Sequence, residues 1–481
     1  MRVWSGLGLV GWLGLAVITS AAGDRRLVDA TRRGDRDTVR TLLDQRVDVN
    51  GRAPDGATAL HWAAQHDDAE LVRLLVRAGA DVNAANDFGV TPLSLASTNG
   101  STATTALLLE RGADPNRATA SGETPLMTAA RSGALAVVQA LLDSGAAIDG
   151  RERVRGQTAL MWAISERHTA VVRLLLARGA DARAKSTSGY TPLLFAARVG
   201  DRESARLLLD AGAPANDAAP DGTSALLTAV VRGHTPLAID LLERGADANA
   251  AGPGYTALHW AAGSWETEMT GPNGIETRTE PEWAALGGVP DGKADLVRAL
   301  LAHGANPNAI MAKVPPRVGY TQLVVEHRVA GTSPYVEATP FLLAAMAGDA
   351  TVMQLLVEGG ADAKRTSKDG TTALMLAAGL GRYMAESHVT PARARAAVEY
   401  ALAQHIDINA ANENGNTALH GAAFIQADEI VELLVRRGAT ISVKNARGQT
   451  PLTLADTVRA GSATVAGRTK TGDLLRALGA S

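Results

Sequence analysis

The phrase "DGATALHWAA" at residues 55–64 returns down most of the chain, and this recurrence constrains the fold more than any other feature. Close copies begin at Gly89, Gly122, Gly156, Gly189, Gly222, Gly254, Gly370, Gly415 and Gly448. They align on Thr58, Thr91, Thr124, Thr158, Thr191, Ser224, Thr256, Thr339, Thr372, Thr417 and Thr450. Most successive gaps are 33 residues, with one of 34, one of 32 and two much longer ones. Self-similarity at this period marks small supersecondary units whose apolar faces are buried by stacking on one another. It overrides the about three domains that 481 residues would otherwise suggest.

Each unit carries the same physical signals in the same order. An Asp-Gly or Asn-Gly style turn opens it, glycine supplying the positive φ. Threonine then serves as the N-cap of a short helix, often with proline at the first helical position. Alanine pairs such as Ala63-Ala64 let a neighbouring helix come close. A second helix follows, as in "AELVRLLVRAGADVN", with Leu71, Leu74 and Leu75 at helical spacing. Gly79 stops it in the left-handed cap position. Hydrophobic residues make up 46% of the chain and aromatics 4%, a supply of small side chains that suits closely spaced helices. The predicted fold class is all-α, a solenoid of about twelve helix-turn-helix units joined by β-hairpin-like turns.

The period, the T-P-L-H-like tetrapeptide, the "LLxxGAD" segment and the "VN" exit together resemble the ankyrin repeat. The resemblance runs over about residues 24–479. Residues 24–52 align with the second repeat at an offset of 33 but lack the threonine anchor and the alanine pair, as a modified N-terminal capping repeat would. Residues 448–481 carry the irregular, polar "TVRAGSATVAGRTKTG" and read as a C-terminal cap. Ordinary repeats are expected over 53–308 and 339–447.

What the resemblance implies is a protein-binding scaffold without catalysis. His61, His259 and His420 fall in the tetrapeptide, where an internal hydrogen-bonding role is implied. Trp62, Trp162, Phe195 and Trp260 share one packing slot. Partners of such repeats meet the hairpin tips and the residues just after the alanine pair. Here those are Gln65, His66, Thr98, Asn99, Arg131, Arg198, Arg232 and Phe424, with Phe88, Tyr190 and Tyr255 near the hairpins. Arg131 and Arg198 recur at one repeat position, with Arg232 one residue further along its repeat, and the series suits a partner with spaced carboxylates.

Three interruptions break the period. The first, Gly263–Lys293, separates the two helices of the unit anchored at Thr256 and is about 27 residues longer than the standard turn. The second, Ala309–Ala338, fills the hairpin before Thr339. The third, at about residues 379–394, again lies between helices. Long loops bearing aromatics suit recognition, and Trp265, Trp283, Arg317 and Tyr320 are the candidates there. The alternatives left open are loops that merely pack on the scaffold, and an enzyme or carbohydrate-binding site in which Glu280, Glu282 and the two tryptophans take part.

The remaining features mostly exclude. A net charge of -3 gives no general pull toward nucleic acid, so the expected partner is a protein of unknown identity. No cysteine is present, which rules out disulfides, thiolate metal sites and a thiol nucleophile. No phosphate-binding, zinc-protease or serine-hydrolase motif occurs, so no cofactor and no metal are expected. "GLGLVG" at Gly6–Gly11 matches a dinucleotide pattern, but no strand precedes it. Residues 1–23 have one basic residue, Arg2, an apolar stretch from Leu7 to Ile18, and then Ser20-Ala21-Ala22-Gly23. This is the layout of a cleaved signal peptide. The chain is thus expected to be an exported bacterial protein, periplasmic or extracellular, monomeric, and off the membrane unless the leader stays as an anchor.

Overall fold

The computed structural model describes residues 25–263, 292–313, 337–381, 389–460 and 463–480. The expected signal peptide, most of the first two insertions and part of the third fall outside the described residues, as do Trp265, Trp283, Arg317 and Tyr320. The chain divides into two compact units, the first ending at Val154 and the second beginning at Arg155.

Among the described residues the first unit holds four helix pairs: Arg26–Arg32 with Arg36–Asp44, Ala59–Gln65 with Ala69–Arg77, Pro92–Thr98 with Thr102–Glu110, and Pro125–Ser132 with Leu135–Asp143. The second unit holds eight among the described residues, from Ala159–Ser165 with Thr169–Ala177 to Pro451–Ala455 with Lys470–Ala477. Within each pair the helices pack on each other, and the first helices of successive pairs stack as a layer inside each unit. In the second unit the second helices form a parallel layer of their own. The all-α solenoid reading holds, with one addition. The polar stretch of the last repeat forms a small antiparallel hairpin, β1 (Thr457–Ala460) and β2 (Ala463–Ala466), with Thr457 opposite Ala466. Thr and Val on both sides of Gly461-Ser462 favour strands, and this alternation outweighs the polarity that made the stretch look irregular.

Local chemistry sets where each helix starts and stops. Thr91 sits in extended backbone, its hydroxyl accepts from the Ser94 amide at 3.1 Å, and Pro92 opens the helix with its φ already fixed. At the other end of a pair, Gly79 has φ +91°, and the Gly79 and Ala80 amides donate to the Val76 and Leu75 carbonyls. Nothing would touch a Cβ there, so it is the left-handed backbone that calls for glycine. The core lies between the layers. Leu60, Leu71 and Leu75 are at most 1% exposed, and each such leucine contributes about 2 kcal/mol of burial. Ala63 and Ala64, at 0% exposure, keep the layers close.

The third insertion is shorter than the period suggests. The second helix of its repeat begins at Pro391, capped by the Thr390 hydroxyl, and runs for 13 residues to Ala403. Residues 391–394 are therefore helix, because Thr390-Pro391 supplies its own start signal ahead of the expected one. The first insertion also ends early: Lys293 is the first residue of the helix Lys293–Ala302.

Candidate functional site

The recurring tetrapeptide builds one capping device. The His61 ring accepts the Thr58 backbone amide on Nδ1 at 3.1 Å and lies 2.9 Å from its hydroxyl. With Nδ1 accepting, the proton sits on Nε2, which donates to the Val90 carbonyl of the next hairpin at 2.9 Å. His259 repeats this with Thr256 and Ala309, and His420 with Thr417 and Gln449. Each neutral ring thus staples a helix start to the following connection. Burial pushes all three below the ordinary histidine range, against the pull of the carbonyl that accepts the Nε2 proton. His259 is pushed down to about 4. At Thr124 the sulfur of Met127, three residues on, takes the anchor's amide at 3.5 Å.

A second device ties one connection to the next. The Asn50 amide donates to the Gly79 carbonyl at 3.2 Å and accepts from the Asp81 amide at 2.8 Å. Asn83 does the same with Gly112 and Asp114, and Asn116 with Gly145 and Ala147. In the second unit Asn216, Asn249, Asn308 and Asn409 form equivalent rungs. These asparagines look like plain turn residues in the sequence; their role between repeats shows only when the repeats are stacked. The hairpin tips form a third set of bonds, with the Asp87 amide donating to Asp55, Ala120 to Phe88 and Arg153 to Ser121.

The exposed side chains near these fixed frames are the ones that can vary. In the first unit Gln65, His66, Asn99 and Arg131 are exposed beside the inter-helix turns, and the Asn99 amide holds the Gln65 carbonyl at 2.8 Å. Trp62 is half-buried, with the His66 ring 6.2 Å away and the Arg32 guanidinium 5.1 Å over its face. Arg32 was not singled out from sequence, because the capping repeat lacks the motif that marks the position. Phe88 stands 65% exposed at a hairpin tip.

In the second unit Arg198 is exposed and Arg232 half-buried, and the His234 ring meets the Arg198 carbonyl at 3.3 Å. Tyr190 is half-buried edge-on to Phe195 at 6.3 Å, and Phe424 is half-buried. Tyr255 departs from its expected role. It is 7% exposed with its ring 6.1 Å from Trp260, because the phenol covers the indole of its own repeat and so presents little surface to a partner.

Lys293 closes the root of the first insertion. Its ammonium donates to the Ala262 and Gly263 carbonyls at 3.2 and 3.0 Å, satisfying the end of a helix whose normal turn is interrupted. It also pairs with Asp349 at 3.3 Å. Burial pushes this ammonium below the ordinary lysine range, and Asp349 opposes the shift. Among the described residues no group of three or more histidines or carboxylates is placed to hold a metal, and no helix is long and apolar enough to cross a membrane.

Comparison with known proteins agrees with this geometry. The family described as "Ankyrin repeats (3 copies)" matches residues 27–119, 81–152, 116–186 and 193–269, and "Ankyrin repeat" matches 414–446. Together these matches cover more than half of the chain, which belongs to the ankyrin repeat family. Such repeats are in general non-catalytic modules of protein–protein interaction. Among curated proteins, the chain is similar to B-cell lymphoma 3 protein of Homo sapiens, 35% identical over 115 residues, 24% of either chain. It is also similar to the neurogenic locus notch homolog protein 1 of Homo sapiens, 33% identical over 118 residues (24% of this chain, 4% of the relative). The Danio rerio protein of the same name is 32% identical over 181 residues, 34% of this chain and 7% of the relative. The chain thus spans a quarter or less of the length of these relatives.

Proposed function

We propose that the chain is an exported, non-catalytic scaffold that holds a protein partner along the exposed inter-helix turns and hairpin tips of its repeats. The observation that carries this reading is a division of labour within each repeat. The threonine caps recur in nearly every repeat and the asparagine rungs in most, while the exposed positions differ from repeat to repeat: Gln65 and His66, then Asn99, then Arg131. A frame that repeats while its surface varies suits recognition better than turnover. Basic side chains at Arg198 and Arg232 favour an acidic segment on the partner. Export is supported by the charge and apolar pattern of residues 1–23, and the insertions at 263–293 and 309–338 add candidate contacts.

The test is capture by the immobilised full chain from its native extract, with bound proteins identified by mass spectrometry and each binding measured by titration. A partner whose affinity falls at least about ten-fold for Phe88→Asp or for Arg198→Glu/Arg232→Glu, at unchanged helical content, supports the reading. Binding indifferent to all three substitutions and to deletion of both insertions would refute it. So would turnover in a broad hydrolase screen.

A further inference from the structure

One connection in the second unit lacks two of the three links that join successive connections throughout the first unit. A fully bonded seam between successive connections has three links: the asparagine amide to a glycine carbonyl, a backbone amide back to the asparagine, and a backbone bond between hairpin tips. All three close in the first unit between residues 47–56 and 80–89, between 80–89 and 113–122, and between 113–122 and 146–154. Between 180–189 and 213–222 one remains. Pro214 stands where Asp81, Asp114 and Asp247 donate to an asparagine, and Pro220 stands where Asp87, Ala120 and Thr187 donate to a neighbouring tip. A proline nitrogen carries no hydrogen, so both links are chemically impossible. The asparagine is also gone: Arg183 takes its place, and its Nε still reaches the Gly212 carbonyl at 3.0 Å but offers no acceptor. No backbone bond joins the tip at 186–190 to the tip at 219–223.

The helices of these same repeats are tied by charge. Arg173 pairs with Glu203 at 2.8 Å and Arg244 with Asp210 at 2.6 Å. The Arg202 guanidinium takes both carboxylate oxygens of Asp240, whose residue is only 8% exposed. The second helices Thr169–Ala177, Arg202–Asp210 and Thr235–Glu243 are therefore clasped by charge, while the hairpin edge beside them keeps one of the three seam links.

We propose that residues 213–222 form a hinge, at which the tips around Gly189 and Gly222 part while the second helices stay clasped. The two prolines and Arg183 together define it, and it sets where the second unit bends when its exposed edge is loaded. This goes beyond the partner-binding reading and does not depend on it.

Hydrogen exchange on the full chain, read at single amides by NMR or fragmentation mass spectrometry, tests it. Ala219 and Gly222 make intra-hairpin bonds of 3.0 and 2.8 Å, and Thr119 and Gly122 make the same bonds at 2.9 Å each. Any difference in their opening therefore reports the seam. Ala219 and Gly222 are expected to open about ten-fold or more often than Thr119 and Gly122, once each rate is corrected for its intrinsic value. In the variant Arg183→Asn/Pro214→Asp/Pro220→Ala, which restores all three links, that difference is expected to vanish while the amides of Arg202–Asp210 keep their rates. Should the triple variant not fold, Pro220→Ala alone restores the tip bond and is expected to slow both amides several-fold, by about the worth of one hydrogen bond. Equal opening in the natural chain, or fast opening that persists in a folded restored variant, would overturn the proposal.

Discussion

Replacing His259 with methionine is expected to remove a pH-dependent part of the stability of the second unit. The sign follows from the ring's surroundings. Its Nδ1 accepts the Thr256 amide and its Nε2 donates to Ala309, so the folded state holds the ring neutral, and burial lowers its pKa to about 4. In the unfolded chain it returns to about 6.5. Between those values the unfolded state binds more protons, so stability is fully present above the unfolded pKa and is lost as pH falls through the window. Going from pH 7 to pH 5 should cost about 2 kcal/mol from this one residue, and the whole effect approaches about 3 kcal/mol below pH 4. Methionine is the right replacement because the chain already uses it: "TALHW" at 256–260 becomes "TALMW", the sequence at 158–162. The assay is urea unfolding followed by circular dichroism at pH 7, 6 and 5 for both proteins. Any pH-independent cost of the substitution cancels in the difference between the two slopes. If that difference stays within about 0.5 kcal/mol across the range, the ring is not held neutral as described.

Other substitutions probe the remaining devices. Asn83→Ala removes the bonds to Gly112 and Asp114 together and should cost about 1–3 kcal/mol by urea unfolding, with faster hydrogen exchange at Asp114. Lys293→Met keeps the apolar stem but leaves two carbonyls and Asp349 unsatisfied, so the helix Ala257–Ala262 should exchange at least about ten-fold faster while Leu296 and Val297 stay protected. Gly222→Ala combines a φ of +82° with a Cβ that would lie 2.5 Å from the Gly252 Cα. It should destabilise by about 2 kcal/mol or more, against under about 1 kcal/mol for Ser188→Ala at a neighbouring tip.

The repeat was legible because every one of its signals is local. Thr-Pro starts a helix, Gly79 ends one, and leucines at helical spacing mark the buried face, so helix positions and the pairing of helices could be read directly. The histidines of the tetrapeptide are legible for the same reason, since the Thr58 amide that His61 accepts lies three residues away in the same repeat. Less legible was anything that depends on a neighbouring repeat. Asn50 and its counterparts look like loop polarity until Gly79 and Asp81 are set opposite them. Tyr255 shares a repeat position with Tyr190, yet packing on Trp260 buries it. Lys293 carries no motif, and its role as a helix cap exists only because the first insertion displaces the usual turn. Arg131 and Arg198 share a repeat position and Arg232 lies one residue further along, but the first belongs to one compact unit and the other two to the second.

The asparagine rungs also bear on how such a chain changes length. Uninterrupted repeats reach partners 29 and 31 positions ahead, while Asn249 reaches 55 and 57 ahead across the first insertion with the same two contacts. The bridge senses only which module comes next, not how many codons lie between. Duplication or excision of a whole module therefore leaves every surviving bridge able to close. Gain or loss of a single codon inside the turn that carries an asparagine, or inside a helix, shifts the register and breaks one. Genes of this kind should drift in whole steps at the frame and freely within the loops, so that reach can be altered without redesigning what is already built.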